Sequence, residues 1–318
     1  MNQQIPTLEA IQAAHKRILP FIHHTPVLSS TSINEIAEAS IYFKCENLQK
    51  VGAFKARGAM NAVLQLSAEE KDKGVCTHSS GNHAQALALA GRENGAKAYI
   101  VMPNNAPLVK KSAVLRYGAE VIECAPTLEA RENTVQKVID ERGAAFVHPY
   151  NDYRIIAGQA TAALELYDQL NGTTLDYLLT PVGGGGLLSG SALTTKYLSP
   201  TTKVIGCEPE GANDAWQSFE HGKLVPSVKP STIADGLLTS LGDKTFPIIM
   251  GNVHQIITVN DAEIMAALKL TWERMKIVIE PSSAVCLAVI LKNKSLFAGK
   301  KVGVIISGGN VDLAKMKF

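Results

Sequence analysis

No run of about 18 apolar residues occurs anywhere in this 318-residue chain, so no helical membrane span is expected. The opening residues, MNQQIPTLEA, have neither a cationic start nor an apolar core of signal-peptide length, and a cytoplasmic protein is expected. Charge of one sign is scarce too: the formal net charge is +2 and no long basic run appears, which argues against a nucleic-acid partner. The five cysteines, Cys45, Cys76, Cys124, Cys207 and Cys286, are odd in number, scattered and never in a CxxC. That spacing suggests neither a disulfide framework nor a zinc site, and leaves reduced, buried thiols. His15, His23, His24, His221 and His254 show no HExxH spacing, and no GxSxG stands on a strand-to-helix turn. Internal repeats and low-complexity tracts are missing as well.

What the chain does contain is a glycine turn. In Asp176 to Gly190, DYLLTPVGGGGLLSG, an apolar run ends in Gly183, Gly184, Gly185 and Gly186 and resumes with helical character. Glycine lets the backbone approach a ligand with no Cβ in the way, and the first helical turn leaves free N–H groups and a partial positive charge. That combination is a phosphate cradle. The dinucleotide fingerprint is not met, because the sixth position counted from Gly183 or Gly184 is Leu188 or Ser189. No Lys-Ser or Lys-Thr pair follows the glycines, so the P-loop pattern fails. On its own, such a run is as compatible with a ligand-free tight turn.

The rest of the chain alternates. Thr7 is suited to cap a helix carrying Leu8, Ile11 and Ile18 inward, ended by Pro20 and Pro26, and ASIYFKC reads as a strand. From Gly74, strands GVCTH, AKAYIVM, AEVIECA and AAFVH alternate with helices. After the helix IIAGQATAALELYDQL a second series runs through DYLLTPV, KVIGCEP and HQIITV to KKVGVIIS. This pattern implies right-handed crossovers and parallel sheets. The fold class expected is α/β, two parallel-sheet α/β domains with a ligand cleft between them at the carboxyl ends of the strands. Segment 74–149 reads as a small domain inserted in a large one made of 1–67 and 153–318.

Small polar clusters follow three strands: Thr77 to His83, Gly183 to Gly186, and Ser307 to Asn310. With Lys55 between Gly52 and Gly58, they suggest a cofactor with one phosphate, a ring and an aldehyde, and pyridoxal 5′-phosphate fits. A lysine in a dehydrated pocket loses ammonium character and can form a Schiff base.

GAFKARGAMNAV, HSSGNHAQALALA, PVGGGGLLSG, TIADG, IEPSSAV and SGGNVD occur in the order found in the serine racemase and serine/threonine dehydratase family of fold-type II pyridoxal phosphate enzymes. The chain resembles that family from Lys55 to Asp312. The resemblance implies that Lys55 is the Schiff-base lysine and the base on one face of the substrate Cα, beside Phe54 as a pocket wall. It implies that Asn82 bonds the cofactor's phenolic oxygen, that Gly183 to Gly186 hold its phosphate and that Ser307 faces the pyridine nitrogen, with Gly236 and Glu280 also on the cofactor. The substrate carboxylate would sit on Ser79, Ser80, Gly81, Asn82 and His83, with Arg131 and Thr239 also at the substrate. Ser80 matches the serine that protonates the opposite face of Cα in the racemases. Glu208, the carbonyl of Ala212 and Asp214 match their divalent metal site, whose oxygen ligands suit Mg²⁺, Ca²⁺ or Mn²⁺.

The function expected is dehydration and deamination of L-serine and L-threonine to a 2-oxo acid and ammonia, together with serine racemisation, by a homodimer. L-threo-3-hydroxyaspartate ammonia-lyase is the nearest alternative, and a non-catalytic amino-acid or nucleotide sensor on the same fold is a remote one. Two departures from the animal racemases, Tyr150 for an asparagine and Val51 for a polar residue, weaken any expectation of ATP activation. The chain stops six residues after Asp312, so feedback control by a C-terminal regulatory domain is not expected.

Overall fold

A computed structural model describes residues 4–106 and 108–316. Ten strands build two sheets: β1 (Val27–Leu28), β2 (Ser40–Cys45), β3 (Val75–His78), β4 (Ala98–Pro103), β5 (Glu120–Cys124), β6 (Ala145–Phe146), β7 (Tyr177–Pro181), β8 (Lys203–Pro209), β9 (Gln255–Val259) and β10 (Lys301–Ile306). One sheet has six strands in the order β1-β2-β10-β7-β8-β9, and the other has four in the order β5-β4-β3-β6. Every pairing is parallel except β1 with β2. The fold is therefore α/β with two parallel sheets, each feeding strand ends toward the other.

Strand β10 is the least local element. It comes last in sequence yet lies between β2 and β7, with Val302 opposite both Ile41 and Tyr177. Phe43, Leu179, Ile205 and Val304 pack against Ala284, Val285 and Ala288 of the helix Pro281–Lys292 in the main core of this sheet. A second core joins Val75, Ile100 and Met102 of the small sheet to Ala59, Met60 and Val63 of the helix Lys55–Leu64.

That last helix is anchored from two sides. Gly58 meets Gly158 of the helix Tyr153–Gln169 so closely that a Cβ on Gly158 would stand 2.6 Å from the Gly58 Cα. A glycine on each helix thus fixes their approach. Beside this contact Arg57, fully buried, donates to Glu46 Oε2 and Glu165 Oε1, each at 2.7 Å, and Lys44 donates to Glu165 Oε2 at 2.7 Å. Charges taken out of water this way require pairing, and here each carboxylate receives more than one donor.

Thr7 caps its helix as expected, its hydroxyl accepting from Ala10 N at 3.3 Å, and Ile11, Ala14 and Ile18 form the buried stripe while Leu8 is half-buried. The AAFVH segment is extended only at Ala145–Phe146. The short β1, the helix Thr31–Ala37 and the helix Thr245–Asn252 have no counterpart in the sequence reading. All five cysteines are free thiols, with Cys124 the one partly exposed. No helix of the described residues is long and apolar enough to cross a membrane.

Candidate active site

The site is assembled around the turn that follows β10. Positive φ at Val51 (56°) and Gly52 (67°) swings the chain before Lys55 back on itself. The returning strand is then fastened to the last turn, with Phe54 N donating to Ser307 O at 3.0 Å and Gly309 N to Gly52 O at 2.9 Å. Lys55 opens its helix and donates from Nζ to Pro149 O at 2.7 Å, with the ammonium 5.1 Å from the Phe54 ring centroid. Burial pulls the lysine down to about 8, and the charge of Glu280 offsets only part of that. A lysine so tuned supplies a free amine near neutral pH.

Asn82 joins the two sheets. Its Nδ2 donates to Glu280 at 2.9 Å, while its Oδ1 accepts from Asn310 Nδ2 at 2.9 Å. Asn310 also donates to Val51 O at 2.7 Å, so both of its amide hydrogens are used. The same Asn82 nitrogen also donates to the second Glu280 oxygen at 3.3 Å. Burial, reinforced by the charge of Asp235, pushes Glu280 up to about 8, with Asn82 opposing.

The glycine turn lies on the same side. Gly185 has φ 86° and precedes the helix Gly186–Leu198. Among the described residues the amides of Gly183, Gly184 and Gly185 donate to no carbonyl. Side chains are excluded as well: a Cβ at Gly183 would stand 3.0 Å from Leu237 Cα, and one at Gly184 2.3 Å from the Tyr150 ring. Gly236 sits behind Gly183 and donates its N–H to Ser282 Oγ at 3.0 Å. This cradle of unsatisfied amides, a depressed amine and a polar turn fits pyridoxal phosphate.

Of the substrate residues, Ser79 turns its hydroxyl inward to accept from Gly81 N at 3.3 Å, and Ser80 is half-buried. Both precede the helix Asn82–Glu93, whose first amides have no intrahelical acceptor. His83 is buried with Nε2 3.1 Å from Val147 O, and burial together with the Lys55 charge depresses its basicity well below the ordinary value. His148 Nδ1 accepts from Tyr150 N and Asn151 N at 3.2 and 2.8 Å. Its pKa falls to about 4, first through burial and then through His78 and Lys55, so its proton rests on Nε2. Arg131 is half-buried, its charge helps burial lower the basicity of His78, and its buried Nε has no acceptor. Thr239 is exposed and reaches the Tyr150 phenol, which burial and the Asp214 charge push up to about 12.

Glu208 and Asp214 are both buried, and Ala212 lies between them in a short 3₁₀ turn. Glu208 accepts from Ala215 N at 2.8 Å and Trp216 N at 2.7 Å, which caps the helix Asp214–His221 from outside. Neither oxygen of Asp214 has a hydrogen-bond partner of good geometry. Burial raises Glu208 to about 9 and Asp214 to about 6. The set offers two carboxylates and a carbonyl, and no cluster of three His, Cys, Asp or Glu side chains occurs among the described residues.

Comparison with known proteins agrees with this chemistry. The model of the family described as pyridoxal-phosphate dependent enzyme matches residues 18–308. The chain belongs to that family. A beta-hydroxyaspartate dehydratase of Paracoccus denitrificans (strain Pd 1222) is 52% identical over 314 residues, covering 99% of each chain. The crystal structure of serine racemase from Dictyostelium discoideum superposes with a TM-score of 0.92 at 53% identity, over 96% of this chain and 99% of that one. A T.th. threonine deaminase gives 0.93 at 42% identity, over 97% and 99%. The chain is thus a pyridoxal phosphate enzyme of the amino-acid dehydratase and racemase kind, and the sensor alternative falls away. Sequence reasoning did not single out Asn310 or Ser283, although both stand inside motifs it quoted. Their contacts with Asn82 and Ser307 cross 228 and 24 residues of chain, a pairing no local pattern displays.

Proposed function

We propose that the enzyme eliminates water from small β-hydroxy amino acids, L-serine and L-threonine first, to release a product whose hydrolysis takes that water back and yields a 2-oxo acid and ammonia, and that it also interconverts the serine enantiomers. The observation that carries this reading is Lys55, an amine brought to about 8 by burial, held at 2.7 Å on Pro149 O and within reach of the Glu280 charge. Pyridoxal phosphate, when bound, supplies an aldehyde for amines and a ring that draws electrons from the substrate Cα. Lys55 takes and returns the Cα proton on one face. The Ser80 hydroxyl, which has no partner among the described residues, does so on the other. The amides of Gly183 to Gly186 bind the phosphate and those of Ser79 to His83 bind the α-carboxylate. Phe54 walls the pocket, and Asn82, Gly236, Glu280 and Ser307 orient the ring. The same reading makes 74–149 a small domain on a large one (1–67 and 153–318) and the enzyme a homodimer. It also gives Glu208, Ala212 O and Asp214 a Mg²⁺ or similar ion, which the unpartnered Asp214 oxygens support.

A second reading, dehydration of L-threo-3-hydroxyaspartate, is favoured by one observation. Arg131 stands near His78 with no ion pair among the described residues, a free cation suited to a second substrate carboxylate.

The experiment is product analysis with L-serine, L-threonine and L-threo-3-hydroxyaspartate in parallel on wild type, Lys55→Ala and Ser80→Ala. Pyruvate and D-serine from L-serine, with D-serine lost in Ser80→Ala and every product lost in Lys55→Ala, supports the first reading. Oxaloacetate with little turnover of serine moves the assignment to the second. Full lyase activity in Lys55→Ala sinks both.

A further inference from the structure

The four-stranded sheet hands the chain back to the larger one through a short turn, residues 148–151. Before it, Val147 N donates to Cys76 O of β3 at 2.9 Å, and after it Asp152 caps the helix Tyr153–Gln169. Asn151 is clipped to the larger body by its side chain, which donates to Asp243 at 2.6 Å and accepts from Lys244 N at 2.9 Å. Pro149 lends its carbonyl to Lys55 Nζ, at 2.7 Å.

A ring nitrogen shapes this turn. The amides of Tyr150 and Asn151 reach no backbone carbonyl among the described residues, and both point at His148 Nδ1, at 3.2 and 2.8 Å. An unprotonated nitrogen offers the lone pair that the two donors share. His148 thus makes with its ring the contact by which an Asx side chain closes a turn onto the amide two residues further on. Pro149 adds to this, since it has no N–H to satisfy and disfavours a helical His148 before it. With the next two amides drawn back onto the ring, the Pro149 carbonyl faces the lysine.

We propose that His148 is a positioning residue for Lys55: its Nδ1 lone pair fixes the turn whose Pro149 carbonyl holds the amine while Lys55 is off the cofactor. The inference rests on the reading above that Lys55 is the residue that binds the cofactor aldehyde. Once substrate displaces it, the freed amine has to stay where the Cα proton is exchanged. An amine anchored by one N–H keeps its lone pair for that proton. In this role His148 meets no reacting atom and acts through the Pro149 carbonyl.

The test separates the ring from its lone pair. His148→Phe keeps the aromatic packing on Tyr150 and Phe146, 4.6 and 5.8 Å away between ring centroids, and has no acceptor. His148→Asn gives up the ring and its Nε2 proton but supplies an oxygen that accepts from the Tyr150 amide. In each apoprotein the pH dependence of Lys55 acetylation by dilute acetic anhydride is read by mass spectrometry of its peptide. Wild type is expected to titrate at about 8. A hydrogen bond to a carbonyl favours the charged amine, so His148→Phe lowers the proton affinity of Lys55 about fivefold, one hydrogen bond's worth, and His148→Asn keeps the wild-type midpoint. Capture of pyridoxal phosphate, timed by absorbance at a pH where the amine is free in all three proteins, slows severalfold in His148→Phe and not in His148→Asn.

A phenylalanine variant that titrates and captures as wild type does, or an asparagine variant that follows it, overturns the role of the lone pair. A midpoint that rises in His148→Phe overturns the carbonyl as the group that His148 delivers. Where His148→Phe does not fold, hydrogen exchange in wild type decides: slow exchange at the Tyr150 and Asn151 amides supports the bonded turn, and exchange at the rate of an open loop overturns it. Absence of capture by wild type sinks the reading of Lys55 as the cofactor lysine, while the acetylation midpoints still judge His148.

Discussion

The Tyr150 ring rests directly on Gly184: a methyl group there would stand 2.3 Å from the ring carbons. The same side chain backs Gly186, where a Cβ would be 3.0 Å from that of Tyr150. Gly184→Ala therefore forces the ring off the cradle or the cradle out of shape, at a cost of about 1–3 kcal/mol. Its cofactor dissociation constant, measured by absorbance titration, is expected to rise about tenfold or more. Tyr150→Ala in the same chain is expected to restore a large part of it, since the space is then open.

Lys55 sets a pH dependence whose sign can be worked out. Its folded pKa of about 8 lies below the unfolded value of 10.5, so the unfolded chain binds more protons between those two limits and apoprotein stability rises with pH across them. Lys55→Met is expected to melt above wild type at pH 7, by the equivalent of roughly 1–3 kcal/mol, with the gap closing toward pH 10.5. Cofactor loading of wild type, followed by absorbance, is expected to speed up through about pH 8 and then level off. Glu280→Gln removes a charge that raises Lys55 and moves that midpoint down.

Arg131 separates the two substrate readings. If its unpaired guanidinium takes a second carboxylate, Arg131→Gln costs a charge-assisted pair, about 1.5–3 kcal/mol or some 10- to 150-fold in kcat/KM, on hydroxyaspartate. L-Serine turnover is expected to change by less than threefold (about 0.7 kcal/mol). Equal losses on both substrates would place Arg131 on the α-carboxylate or in the fold instead.

Neither buried oxygen of Asp214 has a hydrogen bond of good geometry, and the nearby Ser227 hydroxyl offsets only part of the cost of burial. Asp214→Asn removes the buried charge and is expected to raise the melting temperature in chelator by a few degrees (roughly 1 kcal/mol). Wild type is expected to gain on adding Mg²⁺, and the variant is not. A variant that responds to Mg²⁺ as wild type does would take the ion away from this residue.

Arg57 is the strongest candidate for a purely structural loss. Arg57→Ala leaves Glu46 and Glu165 buried with Lys44 as their remaining close cation, and is expected to lose about 3–5 kcal/mol in denaturant unfolding.

Much of this was legible in the sequence because it is local. The glycine turn, the strand before it and the helix after it fall within one stretch, and Lys55 lies inside a motif whose family order is intact. The alternation of strands and helices similarly gave both parallel sheets. The central position of β10 was not legible, since parallel pairing depends on which distant segment offers a matching apolar face, and β2, β7 and β8 all do. Two-residue β1 is too short to show a period. Tyr150 stood out as a departure from relatives, but its closeness to Gly184 arises from a contact across the sheets that no spacing encodes. The contact between the Ser283 and Ser307 hydroxyls is hidden for the same reason.

The place of β10 also orders events during synthesis. The loop bearing Lys55 is fastened by the backbone of Ser307 and Gly309, made about 250 residues later in the chain. A nascent chain on the ribosome can form the four-stranded sheet early, but it cannot close the larger sheet or pin its reactive amine until β10 has emerged and slid between β2 and β7. Capture of a reactive aldehyde is thereby tied to completion of the fold.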